Sequence, residues 1–499
     1  MPLNLITDPW IPVVRDNRSF TIRPDQIADA GVTRPDWPRA DLNLACLELL
    51  IGLVFLADPP RDDGDWHERY DTPEPERLRA VLKPFAPHFQ LTGDGPRFLQ
   101  DLERFEAGAK SSDVNPPDML FIDSAGESTR KKNADLMVKR NRYPALPLPL
   151  AAMALYTLQA FAPSGGSGNR TSMRGGGPMV TLVQPLDTEP YVLWRLVWSN
   201  VPEGRPHPAD RASEALPWLR ATRTSHNDEI VTPEMSHSAE AFFGMPRRLR
   251  LLFREESLTG VVQKKHGTNY EHWPHPLSPR YCKKPGEELL SVHPKPGKES
   301  YRNWLGLTFG QGTKTQVSAE SVRRFHALTN APAAEVLAGG WAMSNMKPMD
   351  FDLHVYPTFR LGESAELRAG ALVEAANSAW QELKKGLKKA TGVKVQAFEP
   401  VREAFFASTE SDFVDAVKAV TVGGGGEIEQ NWLSTLRRMA LSLFDQQTIP
   451  ALTDRRTVGK AASIEATVNA RRNLLAAFSK PTGVRKALGL HGDGQEDIA

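Results

Sequence analysis

The sequence predicts an α+β protein, with a large mixed α/β N-terminal domain over residues 1–362 and a C-terminal four-helix bundle over residues 363–499. Short apolar runs typical of strands alternate with helical patterns in the first part. Beyond Ser364 only helical periodicity remains, and glycine or proline breaks interrupt it. A length of 499 residues also suits more than one folding unit, since a domain holds roughly 100–200 residues. We therefore expect a domain boundary near Gly362.

The first elements of the chain follow from the spacing of its apolar residues. Two apolar runs within residues 10–22 flank a turn-like segment, which predicts a β-hairpin. Helical spacing between Asp41 and Ala57 predicts a buried helix that Asp41 caps and that ends at Asp58 and two prolines. This helix is too short and too polar to span a bilayer.

The later elements follow from the same patterns. A clear helix is expected at 148–161, and a glycine-rich loop at 164–178 separates it from an apolar strand at 179–183. Further strands are expected near 249–253 and 301–307. The four helices of the bundle are expected at 364–390, 399–420, 427–449 and 458–478. Four helices joined by short breaks are typical of an up-down bundle.

Composition narrows the class of protein. The chain has 61 Lys+Arg against 60 Asp+Glu, so no overall basicity marks a nucleic-acid binder, although basic segments can hide in a neutral sum. Two cysteines, Cys46 and Cys282, cannot form a disulfide framework, which favours a reducing, cytoplasmic location. The first eight residues lack the pattern of a secretion signal, and we expect no association with a membrane.

The sequence lacks the motifs of common enzyme classes. A phosphate loop needs Ser or Thr after its Gly-Lys pair, but Gly297-Lys298 is followed by Glu299. The nucleophile elbow of hydrolases ends in glycine, but Asn169 stands at that position. Possible metal ligands form two sets, namely His266, His272, His275 and Cys282, and then Asp350, Asp352 and His354. A rigid loop held by prolines explains the first set better than a metal site does, and a solvated strand edge explains the second set better. We expect no catalytic residue, no cofactor and no metal site.

Basic residues are concentrated in three segments of this neutral chain. Residues 129–143 hold six bases against one acid, and residues 244–285 hold nine against three. The glycine-rich loop adds Arg170 and Arg174 with no acid. Glycine backbone can approach a phosphate or a narrow groove closely, while arginines supply charge. The three segments together indicate contacts with nucleic acid, although a solvated face would explain any one of them.

Several stretches of the sequence resemble the CasA family in collinear order. They are the opening Asn4-Leu5-Ile6-Thr7-Asp8-Pro9-Trp10-Ile11-Pro12-Val13, the element Phe98-Leu99-Gln100, the loop end Met173-Arg174-Gly175-Gly176-Gly177-Pro178, the segment Trp273-Pro274-His275-Pro276-Leu277-Ser278-Pro279, and Gly339-Gly340-Trp341 with Asn345. The family forms the large subunit of the type I-E CRISPR Cascade surveillance complex. The resemblance implies a non-catalytic subunit that ends in a four-helix bundle.

The resemblance also implies which residues contact DNA. In the family, the large subunit recognises the protospacer-adjacent motif (PAM) of duplex DNA from the minor-groove side, and a loop wedges the strands apart. The glycine loop corresponds to Gly165, Gly166, Ser167, Gly168 and Asn169, the PAM lysine to Lys264 or Lys265, and the wedge to Ser344, Asn345 and Met346. The segment before Trp273 differs by one residue in length from the family's pattern, so either lysine can correspond to the PAM lysine. Asn345 stands at the family's glutamine position and is one methylene shorter.

Further contacts are implied for a loop and for the bundle. The family's loop that contacts the 5′ handle of the CRISPR RNA and neighbouring subunits corresponds to the irregular segment with Arg130, Lys131, Lys132, Lys139, Arg140 and Arg142. The candidate DNA contacts of the bundle are Lys384, Lys385, Lys388, Lys389, Arg437 and Arg438. Ordinary solvated helix surface explains these bundle residues equally well. The implied partners are the backbone and small subunits of Cascade, target duplex DNA, and a helicase–nuclease that docks after target binding.

Two other functions stay open at the level of sequence. A metal-dependent nuclease could use His272, His275 and Asp352. A purely structural scaffold could use the basic segments to contact only RNA or protein. PAM recognition is favoured over both, because guide pairing reads the long sequence in RNA-guided systems and the protein need check only a short motif.

Overall fold

The computed structural model describes residues 2–124, 126, 130–133, 138–166, 168–297, 300–308, 315–359, 361–392, 398–453, 464–481 and 483–490. The chain divides into two compact units. Unit 1 contains Met1–Pro296 and Phe309–Val355, and unit 2 contains Gly297–Thr308 and Tyr356–Ala499. The short segment Gly297–Thr308 thus groups with the C-terminal unit, a feature that the expected domains 1–362 and 363–499 do not include.

The strands of the chain form small sheets. They are β1 (Ile11–Arg15), β2 (Arg18–Ile22), β3 (Val32–Pro35), β4 (Val114–Asn115), β5 (Leu146–Pro147), β6 (Val180–Pro185), β7 (Arg248–Arg254), β8 (Ser257–Lys264), β9 (Arg280–Tyr281), β10 (Leu290–Ser291), β11 (Gln316–Val317), β12 (Ala334–Ser344) and β13 (Lys347–Pro357). β1 and β2 pair as the predicted hairpin. β8 pairs with β7, β4 and β5, while β12 lies between β13 and β6.

The helices are assigned in the same way. They are α1 (Ala40–Ala57), α2 (Asp63–Asp71), α3 (Pro75–Leu82), α4 (Leu148–Phe161), α5 (Val192–Trp198), α6 (Glu240–Phe243), α7 (Trp304–Thr308), α8 (Glu320–Ala327), α9 (Glu363–Thr391), α10 (Glu399–Thr421), α11 (Glu427–Thr453), α12 (Ile464–Ala477) and α13 (Val484–Ala487). The predicted mixture of helix and strand, with a C-terminal helical region, is confirmed. The last expected helix, 458–478, falls partly outside the described residues, and its described part is α12.

Helix α1 is buried in the hydrophobic core of unit 1, as predicted. Leu50 and Val54 are almost fully buried, as is Leu155 of the neighbouring α4. The expectation that this helix is too short and too polar to span a bilayer is wrong, because within the described residues α1 is long and apolar enough to cross a membrane. However, 83% of this stretch is buried inside the protein. The predicted cap is wrong, because Arg39 occupies the N-cap position and Asp41 lies in the first turn. The negative charge of Asp41 still complements the helix dipole there.

The expected strand at 301–307 is wrong, because this segment forms a 3₁₀ turn that leads into α7. Tyr301 and Trp304 are three residues apart, so helical geometry places both on one face. Tyr301 stacks on Phe413 of α10 with ring centroids 4.2 Å apart, and its hydroxyl lies 2.7 Å from Thr409 Oγ1. The two aromatic residues therefore help to form the core of unit 2.

Candidate nucleic-acid interface

The glycine loop begins where α4 can no longer continue. Pro163 has no N–H to donate and follows the end of α4, so the chain turns away. Gly166 and Gly168 adopt φ values of +89° and +77°, a conformation that glycine reaches at little cost. Gly166 is exposed, and a Cβ added there would meet nothing within 4 Å. The tip of the loop is therefore open to a binding partner, while Ser167 lies outside the described residues.

Asn169 closes the glycine loop through internal hydrogen bonds. Its Nδ2 donates to the Gly165 carbonyl at 3.0 Å, and its Oδ1 accepts a hydrogen bond from Gln263 Nε2 at 2.8 Å. The backbone N–H of His266 donates to the Gly168 carbonyl at 2.6 Å. Both ends of the Asn169 amide are thus used within the protein. The shape of the loop depends on its contacts with β8 and the residues that follow.

The end of β8 brings the two candidate lysines next to this loop. Lys264 Nζ donates to Glu103 Oε1 at 2.6 Å and lies 4.9 Å from the centroid of the Phe105 ring. The hydrogen bond from Lys264 is the largest cause that lowers the pKa of Glu103. Lys265 is exposed and has no ion pair in the part of the chain that the structure describes, and a Cβ on Gly168 would lie 2.9 Å from its Cβ. Of the two lysines, Lys265 is the one whose ammonium is available.

The expected wedge residues form the tip of the β12–β13 hairpin. Ser344 ends β12, and Asn345 and Met346 connect it to β13 with φ values of +48° and +60°. Two consecutive positive φ values are typical of the type I′ turn, which suits the twist of a hairpin. Asparagine tolerates this conformation, whereas methionine adopts it at a cost of roughly 1–2 kcal/mol. Met346 is 46% exposed, so the tip presents an apolar side chain beside a polar one.

The hairpin tip rests on the base of the glycine loop. A Cβ added to Gly176 would lie 2.9 Å from Met346 Sδ and 3.1 Å from Pro163 Cα. A Cβ added to Gly340 of β12 would lie 2.5 Å from the carbonyl oxygen of Pro178. Only glycine allows the backbones to approach this closely. The glycines of the loop therefore serve two purposes, since some shape its exposed tip and others make room for the hairpin.

Arg174 does not supply charge to the surface of the loop, and this sequence-based expectation is wrong. Arg174 is 4% exposed and forms two hydrogen bonds of 2.7 and 3.0 Å with the Glu48 carboxylate on α1. His275 Nε2 lies 3.5 Å from Glu48 Oε1, and its Nδ1 accepts the N–H of Leu277. Burial, and then the charge of Arg174, lowers the pKa of His275 to about 4, so its ring is neutral at pH 7. These residues support the loop from inside.

Several arginines of the basic segment 244–285 are also neutralised internally. Arg248 Nε donates to Asp101 at 2.6 Å, and Arg250 forms two hydrogen bonds of 2.6 and 2.8 Å with Glu106. The carboxylates come from a distant part of the sequence, so a local count of charges overestimates the basicity of this surface. In the glycine loop, Arg170 Nε donates to a serine hydroxyl at 2.8 Å.

The candidate RNA-contacting segment contains both internally paired and exposed bases. Arg142 forms two hydrogen bonds of 2.8 Å with Asp123, which Arg39 also contacts at 3.2 Å. Arg140 Nη2 donates to the Arg130 carbonyl at 2.8 Å. Arg142 therefore stabilises the segment itself. The exposed lysines of the segment are Lys131, Lys132 and Lys139.

The candidate bundle contacts lie on α9 and α11. Lys385 pairs with Glu382 at 2.6 Å, and Arg438 pairs with Asp412 at 3.5 Å. The lysines in the last turn of α9 also stabilise the helix end, because positive charge there complements the helix dipole. The exposed members of the set are Lys385, Lys388, Lys389, Arg437 and Arg438, and Lys384 is half-buried.

Residues 4–443 match the family model of the CRISPR-associated protein Cse1. The chain belongs to the Cse1 family. The match spans most of the sequence and confirms the resemblance to CasA, since a similar solved structure from Thermus thermophilus is described as CasA (Cse1).

Solved structures of Cse1 proteins share this fold over nearly their whole length. A CasA structure from Thermus thermophilus is 17% identical with a TM-score of 0.73, and the alignment covers 96% of this chain and 99% of that chain. Cse1 of Thermobifida fusca is 17% identical with a TM-score of 0.70 and 98% coverage of each chain. A chain of a CRISPR RNA-guided surveillance complex is 15% identical, with a TM-score of 0.68 and coverage of 95% and 99%.

The possible metal ligands of this Cse1 family member do not gather. The described residues contain no group of three or more His, Cys, Asp or Glu that could hold a metal ion. His272 Nδ1 lies 2.5 Å from Glu288 Oε1 at the surface, whereas His275 belongs to the buried cluster with Glu48. The two histidines that a nuclease would need therefore have different partners.

Sequence reasoning missed the roles of three residues that build the interface, since the sequence marks His266 only as a possible metal ligand and Arg247 only as one base of the segment 244–285. Gln263 and His266 hold the glycine loop, as described above, and Arg247 Nη2 donates to the carbonyl of Pro163 at its base. The partners of Gln263 and Arg247 lie 94 and 84 positions away in the sequence. No local pattern marks such pairs.

Proposed function

We propose that this chain is the DNA-recognition subunit of a type I-E Cascade complex, where it recognises the PAM of target duplex DNA from the minor-groove side and starts strand opening. It acts in the cytoplasm and catalyses no reaction itself. One observation carries the proposal. The exposed Lys265 lies beside Gly168 of the glycine loop, and Met346 of the hairpin turn lies beside Gly176 at the base of the same loop. We call the set Gly166, Gly168, Lys265, Asn345 and Met346 the loop–hairpin surface.

Each part of the loop–hairpin surface suits a different contact with DNA. The minor groove is only about 6 Å wide, so backbone without side chains enters it more easily than a helix does. The ammonium of Lys265 can bind a phosphate, which adds salt-dependent affinity. Apolar side chains such as that of Met346 can insert between base pairs and unstack them, at a cost of a few kcal/mol per step. The amide of Asn345 can hydrogen-bond a base edge.

The remaining basic residues supply affinity and assembly contacts in this proposal. The exposed lysines at 131, 132 and 139 contact phosphates of the CRISPR RNA 5′ handle, and those of α9 contact the DNA strands and the small subunits. Such contacts carry no sequence information. After target binding, the subunit offers the docking surface for the helicase–nuclease. The likeness to a chain of an RNA-guided surveillance complex supports an assembly of this kind.

The experiment is a selection with the complete complex and its CRISPR RNA. A library of target duplexes carries randomised base pairs beside the guide-complementary region, and bound duplexes are sequenced. The wild-type complex should enrich one short flanking motif. On the enriched duplex, Lys265→Ala should weaken binding about tenfold because a phosphate contact is lost. Lys264→Ala should change binding less than about threefold, because its ammonium is already paired with Glu103.

The outcomes separate the function from the site. If the wild-type complex enriches no flanking motif, the proposed function is wrong. Equal losses for Lys264→Ala and Lys265→Ala would leave the function intact and contradict the assigned lysine. The amount of CRISPR RNA in each complex is measured in parallel, because both variants should retain it in full.

A further inference from the structure

Arg247 lies directly beneath the glycine loop. It precedes β7, is 6% exposed, and donates from Nη2 to the Pro163 carbonyl. A Cβ added to Gly165 would overlap the guanidinium, whose Nη2 would lie 2.9 Å away. Gln159 holds the backbone of Arg247 from both sides, since its side chain accepts the Arg247 N–H at 3.0 Å and donates to the Arg247 carbonyl at 3.0 Å. The guanidinium is therefore fixed in place below the exposed tip.

The charge of Arg247 has no counter-charge within the part of the protein that the structure describes. Among the described residues, the other buried arginines each bond a carboxylate, namely Arg69 with Asp58, Arg174 with Glu48 and Arg250 with Glu106. Arg247 bonds no carboxylate in the same part of the chain, and its Nε is buried without a hydrogen-bond acceptor. Burial alone lowers its pKa to about 10, so the group stays charged at neutral pH.

A buried charge without a partner destabilises a protein by several kcal/mol. An anion bound from outside would remove this penalty, and the loop above Arg247 is shaped to receive one. The N–H groups of Gly166 and Gly168 donate no hydrogen bond within the described residues. Backbone N–H groups in turns with positive φ values, such as those of Gly166 and Gly168, can bind anions.

We propose that Arg247 is the buried counter-charge for one phosphodiester group of the target duplex, which binds on the tip of the glycine loop. This inference rests on the proposed function and adds to it a fixed phosphate site. In this arrangement Lys265 and Arg247 have separate tasks. Lys265 reaches the DNA with an exposed side chain, whereas Arg247 acts from beneath the loop and sets the position at which the backbone of the duplex is held.

The test uses the complete complex, an enriched target duplex and a series of salt concentrations. Arg247→Gln removes the charge and retains an amide donor, although this donor lies closer to the backbone than Nη2 of arginine does. It should weaken duplex binding about tenfold and reduce the slope of log K against log salt by about 0.9, the value for one phosphate contact. Arg247→Lys retains the charge and should retain the slope. The unfolding temperature of the Gln variant should equal or exceed that of the wild type, because a buried charge is removed.

An unchanged salt slope for duplex binding by Arg247→Gln would overturn the inference. A variant complex that loses CRISPR RNA while its duplex binding stays the same would also overturn it. Arg247→Met is the second neutral variant if Arg247→Gln does not fold. Failure of both neutral variants to fold would also overturn it, because the protein itself would then need the charge. The enrichment of a flanking motif by the wild-type complex is measured separately. A wrong function abolishes this enrichment, whereas a wrong phosphate site leaves it intact.

Discussion

Two basic regions of the molecule, the loop–hairpin surface and the lysine-bearing face of α9, present their charge in different ways. Lys265 stands beside backbone whose shape is fixed by long-range hydrogen bonds, such as that from His266 to Gly168. The lysines of α9 project from a regular helix, and Lys385 pairs locally with Glu382, three residues away. In the proposed function, the first region discriminates between base pairs by its shape. The second, in the same proposal, adds only affinity that depends on salt.

The largest effect on PAM discrimination is expected for Gly166→Asn. Asparagine tolerates positive φ better than other side chains, and the space around Gly166 is open within the protein, so the loop should keep its shape. The new side chain would occupy the space through which DNA approaches. Binding to a PAM-containing duplex should fall about 100-fold, equivalent to roughly 2.7 kcal/mol, in gel-shift titrations of the complete complex.

The matched control for this substitution is Gly423→Asn in unit 2. Gly423 also has a positive φ, +79°, and a Cβ there would also meet nothing within 4 Å. The backbone strain is therefore comparable, while the position lies between α10 and α11. Equal losses in the two variants, or normal binding by Gly166→Asn, would show that the loop tip has no special access to DNA.

A smaller effect, about tenfold on PAM-dependent binding, is expected for Met346→Gly. Asn-Gly is a preferred pair in type I′ turns, so the substitution should keep the hairpin and remove only the side chain. Permanganate reactivity of thymines next to the PAM should fall in parallel, because fewer strands are opened. Met349→Ala is the control, since Met349 is 60% exposed and lies outside the turn. Equal loss in both variants would indicate a general apolar contact and not a wedge at the tip.

Local patterns predict the elements of this protein well where one period dominates. The helix at 148–161 and the strand near 249–253 are found as α4 and β7, because their apolar residues repeat at a clear spacing. The pattern at 301–307 predicts the wrong element because its aromatic residues are buried by the helices of unit 2, which no short window of sequence reveals. Tertiary packing therefore decides short elements.

The candidate site divides in the same way. The resemblance to CasA supplies the glycine loop, the two lysines and the wedge, but it does not distinguish Lys264 from Lys265. That distinction depends on Glu103, which lies 161 residues from Lys264 in sequence. The pair of Arg174 with Glu48 spans 126 residues. A count of neighbouring charges includes the bases and leaves out such acids, so it cannot separate a binding arginine from a structural one.

The smallest effect on PAM discrimination is expected when Lys384, Lys385, Lys388 and Lys389 are all changed to Ala. Alanine favours helix, although the loss of Lys388 and Lys389 from the last turn of α9 should cost about 0.3–1 kcal/mol of stability for each of these two lysines. Affinity for all duplexes should fall and the salt slope should decrease, while the ratio of affinities with and without the PAM stays the same. The corresponding Arg variant retains the charges and should restore the slope. If the ratio instead falls as far as in Gly166→Asn, the bundle face takes part in recognition, and shape no longer separates the two regions.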